Sequence, residues 1–189
     1  MKPVELSEIA GVADYEIERR TLRPLMIALK DRRRVRVGEH LTFLFENRET
    51  VRYQIQEMMR IEGIADAVAI RHEVETYNEL VPAPGGLAAT LLIEYPSAEE
   101  RDAKLRELVG LENHVLLAVA DLPPPKALFD TRQIASERLS AVQYVRFDLT
   151  ATQRARWRDG VRLAVDHPNY KAAAALTTEQ LAELERDLE

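Results

Sequence analysis

The stretch "LAATLLIEYPSAEERDAKLRELVGLENHVLLAVA", residues 87–120, carries the segment order on which the fold turns. Residues 87–95 form an apolar run that reads as a strand, and Pro96 stops it because proline brings no N–H to a ladder. Ser97 followed by Glu100 is a capping box, and the helix it opens closes at Gly110. "HVLLAVA" at 114–120 is the next strand, and "DLPPPK" at 121–126 is a loop. "AVQYVRFDL" at 141–149 alternates as a strand does. Thr150 then opens a helix to about Gly160, and "VRLAV" at 161–165 returns as a strand. From 87 to 166 the order is strand, helix, strand, strand, helix, strand. That order predicts an α+β protein with a ferredoxin-like βαββαβ core. An α/β parallel sheet is the alternative.

Upstream, residues 1–86 read as a helix-rich extension with one β-hairpin. Ser7 is a candidate cap for a short first turn, and Pro24 suits the first position of a new helix. Leu22, Leu25, Met26 and Leu29 share a face of that helix. Gly38 turns an edge strand at 34–37 into a second strand at 41–45, apolar at four of five positions. Helices follow at 48–62, with Val51, Ile55, Met58 and Met59 inward and Arg52, Gln56 and Arg60 on another face, and at 66–80, capped by Asp66. Thr177 with Gln180 boxes a C-terminal helix on which Leu181, Leu184 and Leu188 share one face. The expectation is one α+β domain over 1–189, with 87–189 as the core plus that last helix.

The 189 residues include no cysteine, which removes thiol nucleophiles, thiolate-ligated clusters and disulfides. A net charge of -6 argues against general nucleic-acid binding, which depends on Lys and Arg. The basic focus "KDRRRVRV" at 30–37 reads as a solvated helix end, with an anionic partner as the alternative. No apolar run reaches the roughly 18 residues of a membrane span, and the N-terminus lacks a signal-peptide core, so the expected location is cytoplasmic.

Two sets of polar residues are candidates for function. The first lies where the 41–45 strand enters the next helix. Asn47 is a good helix cap, which makes Arg48 the first helical residue, at an end that repels positive charge. Either Glu46 or Glu49 neutralises it, or it helps the free N–H groups there to hold a small anion. Tyr53, Gln54, Glu57 and Arg60 continue this surface, and Tyr77 and Asn78 close it from the next helix. The second set is Glu112, His114, Asp166 and His167, at the ends of two strands and fit for acid–base catalysis. In a ferredoxin-like sheet their strands are three spacings apart, roughly 14 Å at about 4.8 Å each. Separate environments are therefore expected for His114 and His167, with no shared metal. His72 and Glu75 share a helical face and form a weaker candidate pair.

No Glu-x-x-His precedes any of the four histidines, which speaks against a bundle di-iron site. No Walker loop, Gly-x-Ser-x-Gly elbow or dinucleotide fingerprint is present. No metal or cofactor is predicted. Any metal would need carboxylate and imidazole ligands, which leaves iron, manganese or zinc open.

Five stretches, "LFENRETVRYQIQEMMRIE", "HEVETYNELVP", "RELVGLENHV", "ERLSAVQYVRF" and "DHPNY", together resemble the bacterial domain of unknown function family 3501. The family carries no established activity, so the resemblance transfers no functional residue. It does imply a setting beside rubrerythrin and an iron–sulfur oxidoreductase, hence a role in peroxide or redox metabolism. The expected function is a non-catalytic accessory or binding protein for such a redox partner or for a small anionic ligand. A small-molecule enzyme using the His and carboxylate set, with or without a metal, is the alternative.

Overall fold

A computed structural model describes residues 1–133 and 137–188. Six helices and eight strands follow in the order α1 (Val12–Arg32), β1 (Arg34–Val37), β2 (Leu41–Glu46), α2 (Arg48–Glu62), α3 (Ala67–Asn78), β3 (Gly86–Ile93), α4 (Ala98–Glu107), β4 (Val115–Val119), β5 (Leu128–Phe129), β6 (Val142–Asp148), α5 (Ala151–Ala155), β7 (Val161–His167), β8 (Tyr170–Ala175) and α6 (Thr178–Glu185). The class is α+β, as the segment order predicts. The sheet is not ferredoxin-like.

Two antiparallel sheets replace the single one expected. Five strands run in the order β1-β2-β3-β6-β5, and three in the order β4-β7-β8. A ferredoxin-like arrangement needs β7 beside β3. That edge is taken by β2, paired from Leu41↔Ile93 to Glu46↔Ala88. β2, buried at all six positions, is a central strand whose two backbone edges are satisfied by β1 and β3. With β3 flanked by β2 and β6, β7 pairs instead with β4, Val115↔Val165 to Val119↔Val161. Every pairing is antiparallel, which also overturns the parallel alternative.

One apolar cluster joins the inward faces of both sheets. Phe43, Phe45, Leu91 and Phe147 come from the larger sheet, Leu117 and Leu163 from the smaller, and Leu105, Trp157 and Leu184 seal the margins. A second cluster, Val4, Val51, Ile55, Met59 and Val74, packs α2 and α3 with the N-terminal segment.

Several local expectations need correction. Pro24 lies inside α1 rather than opening a new helix. It is exposed, so the Arg20 carbonyl left without its N–H partner faces solvent. The first turn, at 6–8, is boxed by Glu5 and Glu8, not capped by Ser7. Gln56, placed with Arg52 and Arg60 on a face of α2 apart from the apolar stripe, is buried. The strand β8 went unpredicted because "YKAAAA" has helix-forming composition; its pairing with β7 decides the matter.

The basic run at 30–37 is not simply a solvated helix end. Arg33 is completely buried. Its Nε donates to the Phe45 carbonyl at 2.8 Å, and its terminal nitrogens reach the Glu46 carbonyl at 3.2 Å, Glu183 at 3.2 Å and Asp187. The two carboxylate partners of this arginine lie about 150 residues downstream on the C-terminal helix and its end, beyond the reach of local pattern.

Candidate functional site

Alternation along the five-stranded sheet sends one set of side chains away from the core. Arg34, Leu44, Thr90 and Tyr144 stand opposite one another across four strands, and α2 and α3 stand over this face without filling it. The result is a groove. Its inner chamber, about 370 Å³, is lined by Lys30, Arg34, Glu46, Gln54, Tyr77 and Tyr144 among apolar residues such as Leu44 and Leu80. A second chamber of about 470 Å³ shares Tyr77, Leu80 and Tyr144 and adds Glu62, Glu73, Glu79, Asp130 and Arg132.

Glu46 sits on the floor, at the end of β2, and is only 7% exposed. Thr90 Oγ1 donates to its Oε1 at 2.7 Å, and Thr50 Oγ1 donates to its Oε2 at 2.5 Å. Among the described residues no lysine, arginine or histidine side chain pairs with it. Burying a carboxylate without a countercharge is costly, and hydrogen bonds offset only part of that cost. The two phenols of the walls are held protonated. Burial pushes the Tyr144 hydroxyl up, and the charges of Glu46 and Asp130 add to the effect. Burial also pushes Tyr77 up, followed by Tyr144 and Glu73, while a hydrogen bond with Gln54 pulls the other way.

Of the nine ligand-binding candidates, then, Glu46, Gln54 and Tyr77 line the groove. Four of the other six, Arg48, Glu57, Arg60 and Asn78, grip the chain's own first 19 residues, while Asn47 and Tyr53 have partners elsewhere. Arg48 ion-pairs with Glu8, and its backbone N–H is met by Met1 Sδ at 3.1 Å, so the α2 start already has occupants. Glu49 lies 3.8 Å from Arg48, a looser contact than that with Glu8, and Glu46 does not pair with it. Asn47 caps α2 by accepting from the Thr50 N–H at 2.9 Å. Glu57 accepts from the Tyr15 hydroxyl at 2.7 Å and from Arg19 at 2.6 and 3.0 Å. Arg60 reaches Glu57 and Glu16, and Asn78 exchanges two hydrogen bonds with the Val4 backbone at 2.7 and 2.9 Å. Tyr53 carries Lys30 Nζ 5.3 Å above its ring. The buried Gln56, not among the candidates, does the same work with Ala10 at 2.7 and 3.1 Å.

The second set is reorganised by the new topology. Because β4 pairs directly with β7, the His114 and His167 rings lie 5.1 Å apart at 88°, against the expectation of separate environments. His167 is nonetheless committed locally. His167 is buried, and its Nδ1 accepts from the Asn169 N–H at 3.2 Å, which leaves the proton on Nε2 to donate to the Val109 carbonyl at 3.1 Å. Asp166 faces outward to Lys171 at 3.2 Å, and Glu112 accepts from the neighbouring Asn113 at 3.1 Å. His72 and Glu75 are exposed on α3. Among the described residues no three carboxylate or imidazole side chains cluster as metal ligands, and no helix is long and apolar enough to cross a membrane.

Two antiparallel sheets around one core, with paired helices roofing a groove, define an α+β protein with a cleft of ligand size. The chain belongs to the family described as Protein of unknown function (DUF3501), which matches residues 3–188. It is similar along its whole length, at 37% identity and a TM-score of 0.93, to a novel protein of unknown function from Burkholderia pseudomallei K96243, solved as a crystal structure at 1.90 Å resolution, and covers 100% of each chain. No curated protein matches the sequence.

Proposed function

We propose that the chain is a non-catalytic binding protein and that the groove under α2 and α3 receives a small organic ligand. The observation that carries this reading is Glu46, a buried carboxylate with no countercharge among the described residues, on the floor of an open chamber. Glu46 also anchors Thr50 in the α2 cap, but a neutral hydrogen-bonding side chain of similar size does that without the desolvation cost of a charge. A few convergent polar groups in an otherwise apolar cleft are the usual make-up of a small-molecule site. The redox setting implied by the family resemblance, with a rubrerythrin-type or iron–sulfur protein as partner, belongs to the same proposal. In that setting the chain is an accessory whose partner contact is steered by charge.

Thermal denaturation with a panel of small polar metabolites tests the groove. A ligand at a hundred times its Kd adds about 2.7 kcal/mol. For a chain of this size that raises Tm by roughly 5–11 °C. Tyr77→Ala, which removes a wall, is expected to abolish the rise. A compound that stabilises wild type and Tyr77→Ala equally places its site elsewhere and refutes the reading. For the accessory role, capture from lysate of the native host is expected to recover a redox protein at low salt and to lose it at high salt. Recovery of none at either salt counts against that role.

A further inference from the structure

The groove separates its charges. Glu46 provides a negative floor, where among the described residues one threonine hydroxyl donates to each carboxylate oxygen, which keeps further acceptor capacity. At the mouth stand Lys30 and Arg34. Lys30 has no carboxylate partner among the described residues and rests over the Tyr53 ring. Arg34 is held by Asp31 at 2.7 Å and is partly exposed. Arg34 lies opposite Leu44, two residues from Glu46 on the same face of the sheet. Cα atoms on such a diagonal are roughly 7–8 Å apart. Between the two poles the lining is apolar and aromatic: Leu44, Leu80, Leu92, Tyr77 and Tyr144.

We propose that the ligand of this groove is amphoteric, with a cationic amine seated on Glu46 and an anionic group held at the mouth by Lys30 and Arg34. A short carbon chain between the two charges lies against the apolar lining. This rests on the binding reading above and specifies its chemistry. The amine supplies the direct ion-pair partner that Glu46 lacks among the described residues, and the phenol rings beside it favour a cation further. A purely anionic ligand meets Glu46 as a like charge in a low-dielectric chamber, where repulsion is strong. A simple amine leaves the basic mouth unused.

Isothermal titration and amide NMR spectra with a graded set of probes test the proposal. The probes are the ω-amino acids from 3-aminopropanoate to 6-aminohexanoate, with n-alkylamines and n-alkylcarboxylates of matching length. At least one ω-amino acid is expected to bind at least tenfold more tightly than its matched amine and its matched carboxylate, moving amide signals of β2, β3 and α2. Glu46→Gln is expected to cost the ω-amino acids and amines at least tenfold and to spare the carboxylates. The mouth variant Lys30→Ala, at a position whose loss does not threaten the core, is expected to weaken the ω-amino acids and carboxylates and to spare the amines. Carboxylates that bind as tightly as ω-amino acids overturn the charge assignment, and their movement of groove signals leaves the groove reading standing. Affinities unchanged in both variants also overturn it. If no probe moves the groove while a compound of the metabolite panel does, the amphoteric class fails and the groove survives. If neither set moves it, both fall.

Discussion

Replacing Arg33 by methionine isolates the latch between the first third of the chain and its C-terminal end. The methionine fills much of the arginine's volume but abandons four acceptors: the Phe45 and Glu46 carbonyls and the carboxylates of Glu183 and Asp187. Glu183 keeps contacts from Arg32 at 3.4 Å and Arg186 at 3.3 Å, whereas Asp187 loses its ion-pair partner while buried. Removing one partner of a buried pair costs about 3–5 kcal/mol, chiefly because the remaining charge has no compensation. At 2–4 °C per kcal/mol for a chain of this length, Tm is expected to fall by roughly 6–20 °C. The triple variant Arg33→Met, Glu183→Leu, Asp187→Leu removes all three charges together and is expected to recover most of the loss. Calorimetric unfolding of the wild type, the single and the triple variant gives the comparison. A single variant within 2 °C of wild type, or a triple variant as unstable as the single one, refutes the reasoning. Because Arg33 also holds the carbonyl of Glu46, the single variant is further expected to disturb groove amide signals that the triple variant partly restores.

Two further outcomes are expected. Burial on its own raises the Glu57 carboxyl, but hydrogen bonds from Arg19 and Tyr15 outweigh it and hold the group down at about 2. A lowered folded value means that Glu57 contributes stability in full above its unfolded value of about 4.5, and that this is lost as pH falls towards 2. Urea unfolding between pH 6 and pH 2 is therefore expected to show wild type converging on Glu57→Gln as pH falls; a constant gap refutes the assignment. Gly38 has φ +69, and a Cβ there would lie 2.4 Å from the Tyr170 hydroxyl, which donates to the Val37 carbonyl at 2.7 Å. Gly38→Ala combines a strained conformation, on the order of 1–3 kcal/mol, with the displacement of Tyr170. Gly38→Ala with Tyr170→Phe, assayed beside Gly38→Ala and Tyr170→Phe alone, is expected to lose less than the sum of the two single variants; additive losses refute the clash with the hydroxyl.

What the residues determine alone is the local half of this protein. The Gly38 hairpin, the caps at Asn47, Asp66, Thr150 and Thr177, and the strands around 87–93, 115–119, 142–148 and 161–167 follow from patterns only a few residues long, where backbone propensity and side-chain capping act within one turn or one pleat. Of the candidate site, Glu46, Gln54 and Tyr77 were legible because strand alternation and helical spacing aim them at one surface. Partner choice was not legible. Nothing local to β3 says that β2, rather than β7, takes its edge; the pairing is decided together with the core that both sheets share. The same choice brings His114 beside His167 and sets Arg33 against residues at the far end of the chain. It also brings Arg48, Gln56, Glu57 and Asn78 against the N-terminal segment, because each partner lies at least 38 positions away and is reached only when the helices pack. Short-range periodicity records which way a side chain points. What it meets there depends on which surfaces can be buried together, and that is a property of the whole chain.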